Sequence, residues 1–121
     1  MKYYLTTPLY YVNATPHLGH TYTTIVADTI KRFRRMQGHQ VSLTTGTDEH
    51  GQKVEYSAKQ AGWSTQEFTD RVAAAFREQW DELQIDYDSF IRTSDKRHYK
   101  TVQWLFNRCK ENGAIEKGNY T

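Results

Sequence analysis

Three short runs rich in β-branched and aromatic residues, Lys2 to Thr7, Gln40 to Thr45 and Asp88 to Thr93, are each followed by a longer stretch of helical periodicity. That alternation restricts the fold more than any other feature, because strands separated by crossover helices pair in parallel and the crossovers are right-handed. The expectation is an α/β chain of order βαβαβα. Pro8 stops the first run, and a loop holding Asn13, Thr15 and Pro16 follows. From Leu18 to Met36 the positions Tyr22, Ile25, Val26, Thr29, Ile30 and Phe33 recur at helical spacing, and Gly38 sits where a helix C-terminus favours glycine. The second run ends in Gly46, a residue suited to a sharp exit.

His50 to Gln60 reads as a short helix closed by Gly62, and Ser64 followed by Glu67 has the capping-box spacing that starts the next. That helix should run to about Leu83 and bury Phe68, Val72, Ala75, Phe76, Trp80 and Leu83. Thr93 or Ser94 can cap a last helix through Asn112, ended by Gly113, with Trp104 and Phe106 assigned to core packing. Ile115 to Thr121 closes nothing.

Composition sharpens this. Hydrophobic residues are 37% of the chain and mean hydropathy is -0.86, low for a self-contained α/β domain whose central strands should be near-continuous apolar runs. An incomplete chain is therefore expected. Aromatic residues at 14% exclude a disordered chain. A net charge of +2 is too mild to mark nucleic-acid binding, and the cluster Lys31, Arg32, Arg34, Arg35 reads as a solvated helix face. The single cysteine, Cys109, excludes an internal disulfide and any multi-cysteine metal site, and fits a reducing cytoplasm. Met1 and Lys2 lead straight into a strand with no leader-like segment, and no span reaches membrane-crossing length.

Two clusters carry chemistry. His17-Leu18-Gly19-His20 lies at the start of the first helix, after the first strand, where an open α/β sheet receives ligands. Helix N-terminal N–H groups favour a phosphate there, and Gly19 lacks the Cβ that would keep a flat base off the backbone. Two imidazoles on one turn can both donate to a polyphosphate. Surface histidines explain the same letters equally well, and a zinc reading lacks further ligands at suitable spacing. The second cluster, Thr44 to Gly51, sits at the end of the second strand, and Asp48 within it can pair with a cationic group on a ligand. A plain turn with Asp48 as a helix cap is the competing account.

Together the clusters resemble class I aminoacyl-tRNA synthetases, whose HIGH signature matches His17-Leu18-Gly19-His20 with Leu18 in place of isoleucine. More narrowly, Thr6-Thr7-Pro8-Leu9-Tyr10-Tyr11-Val12-Asn13 and Thr45-Gly46-Thr47-Asp48-Glu49-His50-Gly51-Gln52-Lys53 are similar to the bacterial-type methionyl-tRNA synthetases. The likeness extends through Thr101-Val102-Gln103 and Lys110-Glu111-Asn112-Gly113. It implies a Rossmann-like (HUP-type) parallel sheet, with residues 1–118 as the N-terminal half of the nucleotide-binding domain and 119–121 opening a connective insertion. It also implies methionyl-adenylate formation from L-methionine and ATP with Mg²⁺, then transfer to tRNA(Met). His17 and His20 would be catalytic and hold the ATP phosphates, with Gly19 under adenine. Asp48 would bind the methionine α-amino group, and Pro8, Leu9 and Tyr11 would line the side-chain pocket. Asn13 shares that loop, its role open.

The family's KMSKS-like loop appears nowhere in the sequence, and its zinc knuckle belongs to the connective insertion, so no metal is expected on these residues. Weak ATP binding and little or no activity are expected of the chain by itself, which would need the missing C-terminal part of the synthetase. Two alternatives remain at this point: an HxGH nucleotidyltransferase of coenzyme metabolism, and a noncatalytic half of a split synthetase.

Overall fold

The protein is described by a computed structural model over residues 1–119. Its elements run β1 (Lys2–Thr6), β2 (Tyr10–Tyr11), α1 (Leu18–Met36), β3 (Gln40–Asp48), α2 (Gln52–Ala61), α3 (Thr65–Glu82), β4 (Ser89–Arg92) and α4 (Lys96–Glu111). The last positions expected in a connective insertion, Tyr120 and Thr121, lie outside the described residues. Ser64 and Glu67 form the expected reciprocal cap of α3, and Gly62 closes α2 in the left-handed conformation at φ 72°. The cap of α4 is Asp95 rather than Thr93 or Ser94.

All strand pairs are parallel. Thr44 pairs with both Thr6 and Ser89, and Thr47 with both Tyr10 and Arg92. A strand has two edges, so β1 and β2 share one edge of β3 and β4 occupies the other. β2 was not foreseen from the sequence. Thr7 N–H still donates to the Thr44 carbonyl at 3.1 Å, then Pro8, which has no N–H, breaks the ladder. From Thr6 to Tyr10 the chain advances four residues while β3 advances three, from Thr44 to Thr47. The one-residue excess is a bulge, and it inverts the side-chain alternation. Tyr3, Leu5 and Thr7 turn to one face before it; Tyr10 and Val12 turn to that same face after it.

Because the order β1/β2, β3, β4 advances in one direction, right-handed crossovers lay α1, α2 and α3 on a single face. The contacts agree: Gln79 on α3 donates to Thr21 on α1 at 2.6 Å, and Tyr10 lies between Thr24, at 2.9 Å through its hydroxyl, and the Phe76 ring, stacked at 5.5 Å. This is a Rossmann-like, HUP-type arrangement. The core on that face consists of Tyr10, Val12, Val54, Ala58, Phe68, Val72, Phe76, Trp80, Ile85 and Phe90. Lys2, Tyr4, Gln40 and Ser42, on the opposite face, stay exposed.

Several expectations are corrected. Leu83 is exposed because the chain reverses at Gln84, φ 52°, so that Ile85 takes the buried place. In α1 the apolar stripe does not face the sheet: Tyr22, Ile25, Val26, Ile30 and Phe33 are exposed, while Thr24, Asp28 and Lys31 are buried. Nor is the whole basic cluster a solvated face: Arg32 and Arg35 are exposed, but Lys31 is not. Lys31, 1% exposed, sits 2.7 Å from Asp88 and 3.2 Å from Asp86. Asp28 accepts from Arg32 at 2.7 Å and from the Asp86 N–H at 3.1 Å, and Arg35 pairs with Asp86. Burial alone would push the Asp88 carboxyl up, but hydrogen bonds from Lys31 and the Leu43 N–H hold it below its ordinary value. A buried ammonium survives only with such partners, and this set ties α1 to the entrance of β4. Trp104 and Phe106 are likewise not core, since α4 buries none of its residues; helical spacing produces a stripe, but only a facing surface makes it interior.

Candidate active site at the C-terminal rim of the sheet

His17 caps α1 in an unusual way. Its Nδ1 accepts from the Gly19 N–H at 3.1 Å, and its own N–H donates to His20 Nδ1 at 3.2 Å. This reproduces the reciprocal cap that Ser or Thr usually makes with Glu or Gln, here with two imidazoles stacked 3.7 Å apart. Accepting at Nδ1 leaves a neutral ring its proton on Nε2. Burial, and secondarily the neighbouring His17, hold the His20 pKa below its ordinary 6.5, which favours that neutral form. Each ring therefore offers an Nε2–H donor beside the helix N-terminus, an arrangement that suits an anion. Gly19 has a local use as well: a Cβ there would lie 3.0 Å from His17 Cε1 and 3.2 Å from Nδ1, crowding the ring that makes the cap.

The second cluster begins inside β3, which continues past Thr45 to Asp48. Gly46 is thus not an exit turn. It faces Ile91 across the β3–β4 pair, where an added Cβ would stand 1.9 Å from the Ile91 carbonyl oxygen. Asp48 is not a helix cap either, since α2 is preceded by Gly51 at φ 119°. Asp48 pairs in register with Tyr11, and its Oδ1 accepts from the Thr93 hydroxyl at 3.4 Å.

Sequence reasoning missed the adjacent carboxylate. Glu49, 4% exposed, accepts from Thr47 Oγ1 at 2.7 Å, from Arg92 Nε at 2.7 Å and Nη2 at 2.9 Å, and from Ser94. Arg92 also reaches Asp70 at 2.6 Å. The Glu49 hydrogen bond, against the opposing effect of burial, raises the guanidinium pKa above its ordinary value. The one local hint was an arginine closing a short strand. Of two consecutive acids, Glu49 is consumed by the scaffold and Asp48 is left toward solvent.

Tyr11, 62% exposed, and Asn13 line a cleft of about 570 Å³ with His50, Gly51, Gln52, Lys53 and Val54. Pro8 is exposed and Leu9 half-buried at the bulge, and neither lines that cleft. His20 meets Tyr10 at 4.8 Å on the helix-covered face, whereas Tyr11 and Asp48 turn to the other. The two clusters therefore flank the end of β2, at the rim where parallel sheets present their loops. Among the described residues, no three His, Cys, Asp or Glu side chains cluster closely enough to hold a metal.

Fold and rim define a class: a Rossmann-like parallel α/β sheet with an anion-receptive helix start next to an acidic strand end. Residues 3–121 match the model of the family described as tRNA synthetases class I (M), and the chain belongs to that family. It is 56% identical to a methionine–tRNA ligase of Thermotoga maritima over 99% of this chain and 19% of that relative. A methionine–tRNA ligase of Campylobacter jejuni is 50% identical over 97% and 19% respectively. A solved structure of Mycobacterium tuberculosis methionyl-tRNA synthetase, in complex with methionyl-adenylate, superimposes with a TM-score of 0.91 at 41% identity, covering 93% of this chain and 22% of that one. The chain thus spans about a fifth of the length of these relatives. Family membership selects the synthetase reading over a nucleotidyltransferase of coenzyme metabolism.

Proposed function

We propose that this chain supplies the ATP loop and part of the methionine pocket of a methionine–tRNA ligase, which forms methionyl-adenylate and passes the methionyl group to tRNA(Met) in the cytoplasm. The observation that carries the reading is the pair of neutral imidazoles on the first turn of α1, flanking with Asp48 and Tyr11 the end of one short strand. His17 and His20 hold the triphosphate through Nε2–H, and Gly19 lies under adenine. Asp48 takes the α-ammonium of methionine, and Pro8, Leu9 and Tyr11 contribute to the side-chain pocket, with Asn13 at its margin. A thioether against the Tyr11 ring gains about 1 kcal/mol.

The attacking group is the methionine carboxylate, ionised at neutral pH, so the reaction needs no general base. It needs in-line placement at the α-phosphorus and stabilisation of charge as pyrophosphate leaves. Donors fixed at Nε2 by the backbone bonds at Nδ1 require no reorientation during that step, and losing one such donor typically costs roughly 3 kcal/mol of transition-state stabilisation. The Mg²⁺ of this chemistry would come with the nucleotide, whose phosphate oxygens suit it.

The test is amino-acid-dependent exchange of pyrophosphate into ATP by the complete gene product. Methionine should support exchange and the other amino acids should not. Exchange driven by a different amino acid, or by none, overturns the proposal. Residues 1–121 expressed alone should exchange slowly or not at all, and adding the C-terminal remainder in trans should raise the rate if the two halves dock.

A further inference from the structure

Thr93 follows β4 on the face that Asp48 occupies, and it is 9% exposed. Its N–H donates to the Thr47 carbonyl at 3.1 Å. Its hydroxyl oxygen accepts the Glu49 N–H at 2.8 Å. With that acceptor position taken, the hydroxyl's single proton is directed to Asp48 Oδ1, 3.4 Å away. His50 approaches the same residue, its Nε2 lying 3.3 Å from the Thr93 carbonyl. The neighbouring acid cannot substitute for Asp48, because Glu49 is bound to Thr47, Arg92 and Ser94 on the other face of the sheet.

We propose that Thr93 is a positioning residue for substrate binding: its hydroxyl fixes the rotamer of Asp48, so that one carboxylate oxygen is occupied and the other is presented to the ammonium group of the amino-acid substrate. This rests on the reading of Asp48 given above. The backbone bond to Glu49 sets where the hydroxyl sits, so the ion pair of buried Glu49 with Arg92 governs the aim of the half-buried acid one residue earlier. Short side chains choose among few rotamers, and a single hydrogen bond worth about tenfold in rotamer population suffices to pre-order the carboxylate.

The experiment uses the complete gene product with Thr93→Val, Thr93→Ser and Asp48→Asn, read by methionine-dependent pyrophosphate exchange. Thr93→Val should raise KM for methionine about tenfold with KM for ATP unchanged, and Thr93→Ser should restore it to within about twofold. Inhibition by the methionine analogue lacking the α-amino group separates aim from packing: its inhibition constant should be the same for wild type and Thr93→Val. If that constant rises as much as KM for methionine, or if Thr93→Val leaves KM for methionine unchanged while Asp48→Asn raises it, the positioning role is overturned. If the unsubstituted protein shows no methionine-dependent exchange, or Asp48→Asn leaves KM for methionine unaltered, the reading of Asp48 itself fails and the role of Thr93 with it.

Discussion

Replacing Gly46 by alanine puts a methyl where β3 and β4 leave no room. The new Cβ would lie 1.9 Å from the Ile91 carbonyl oxygen and 2.8 Å from both its carbonyl carbon and Cγ2. An ordinary C···O contact is about 3.3 Å, so β4 has to withdraw by roughly 1.4 Å, enough to break a ladder whose bonds are about 2.9 Å long. The pairs lost run from Thr44–Ser89 to Thr47–Arg92. At about 1 kcal/mol per backbone bond the ladder accounts for roughly 2–3 kcal/mol, and a Glu49 parted from Arg92 while still buried adds about 3 kcal/mol. The total of roughly 5–6 kcal/mol is most of the stability of a typical domain. Gly38 is the control: its φ is +81° and nothing lies within 4 Å of its notional Cβ, so Gly38→Ala should cost only about 1 kcal/mol of left-handed backbone strain. Hydrogen exchange on the complete gene product is the suitable assay, because it reports the opening of one strand where a multidomain protein does not unfold in two states. Gly46→Ala should abolish protection at residues 89–93, and Gly38→Ala should leave it intact. Full protection of β4 in Gly46→Ala would show that the close approach at Ile91 does not constrain the sheet.

The imidazole cap makes α1 sensitive to acid. The fold holds the His20 pKa below 6.5, so the cap's contribution is complete above that pH and is lost as pH falls through the depressed folded value; NMR titration of His20 alongside protection of the His17 amide, which donates to His20 Nδ1, should show both changing together, and protection that persists after His20 protonates would contradict the cap. Gly19→Ala should displace the His17 ring and cost about 1 kcal/mol of cap together with ATP affinity, measured by nucleotide titration; unaltered affinity would separate the cap from the phosphate site. Glu49→Gln or Arg92→Met alone should destabilise by about 3–5 kcal/mol, with the double variant recovering a substantial part of the loss, as read by hydrogen exchange in β3 and β4; additive losses would argue against a coupled pair.

What the sequence made legible is what lies close together along it. The bounds of α1, the Ser64–Glu67 cap and the Phe68, Val72, Phe76, Trp80 stripe follow from spacings of three and four residues, and the structure has them so. Both site clusters fall on the rim expected from the strand–helix alternation. The failures have a common cause, since each depends on a partner distant in sequence. Glu49 and Arg92 are 43 positions apart, Lys31 and Asp88 are 57 apart, and nothing in local periodicity announces either pair. The α1 stripe shows the same limit, because an apolar row shows that a helix is amphipathic but not what it faces, and here it faces away from the sheet. Gly46 was read by its backbone freedom, whereas its use is the absence of a side chain beside Ile91.

The extra residue between Thr6 and Tyr10 divides Lys2 to Val12 into two registers of consequence. Before Pro8 the odd-numbered residues belong to the scaffold; beyond it the even-numbered ones do, and Tyr11 is released to the opposite, open face. A saturation scan across this segment should therefore show a parity switch at the proline, with damage to folding and damage to substrate use exchanging places. On the proposed reading of Tyr11, the same few letters can then change substrate preference there without disturbing the interior next door at Tyr10, which gives selection two nearly independent handles on one strand.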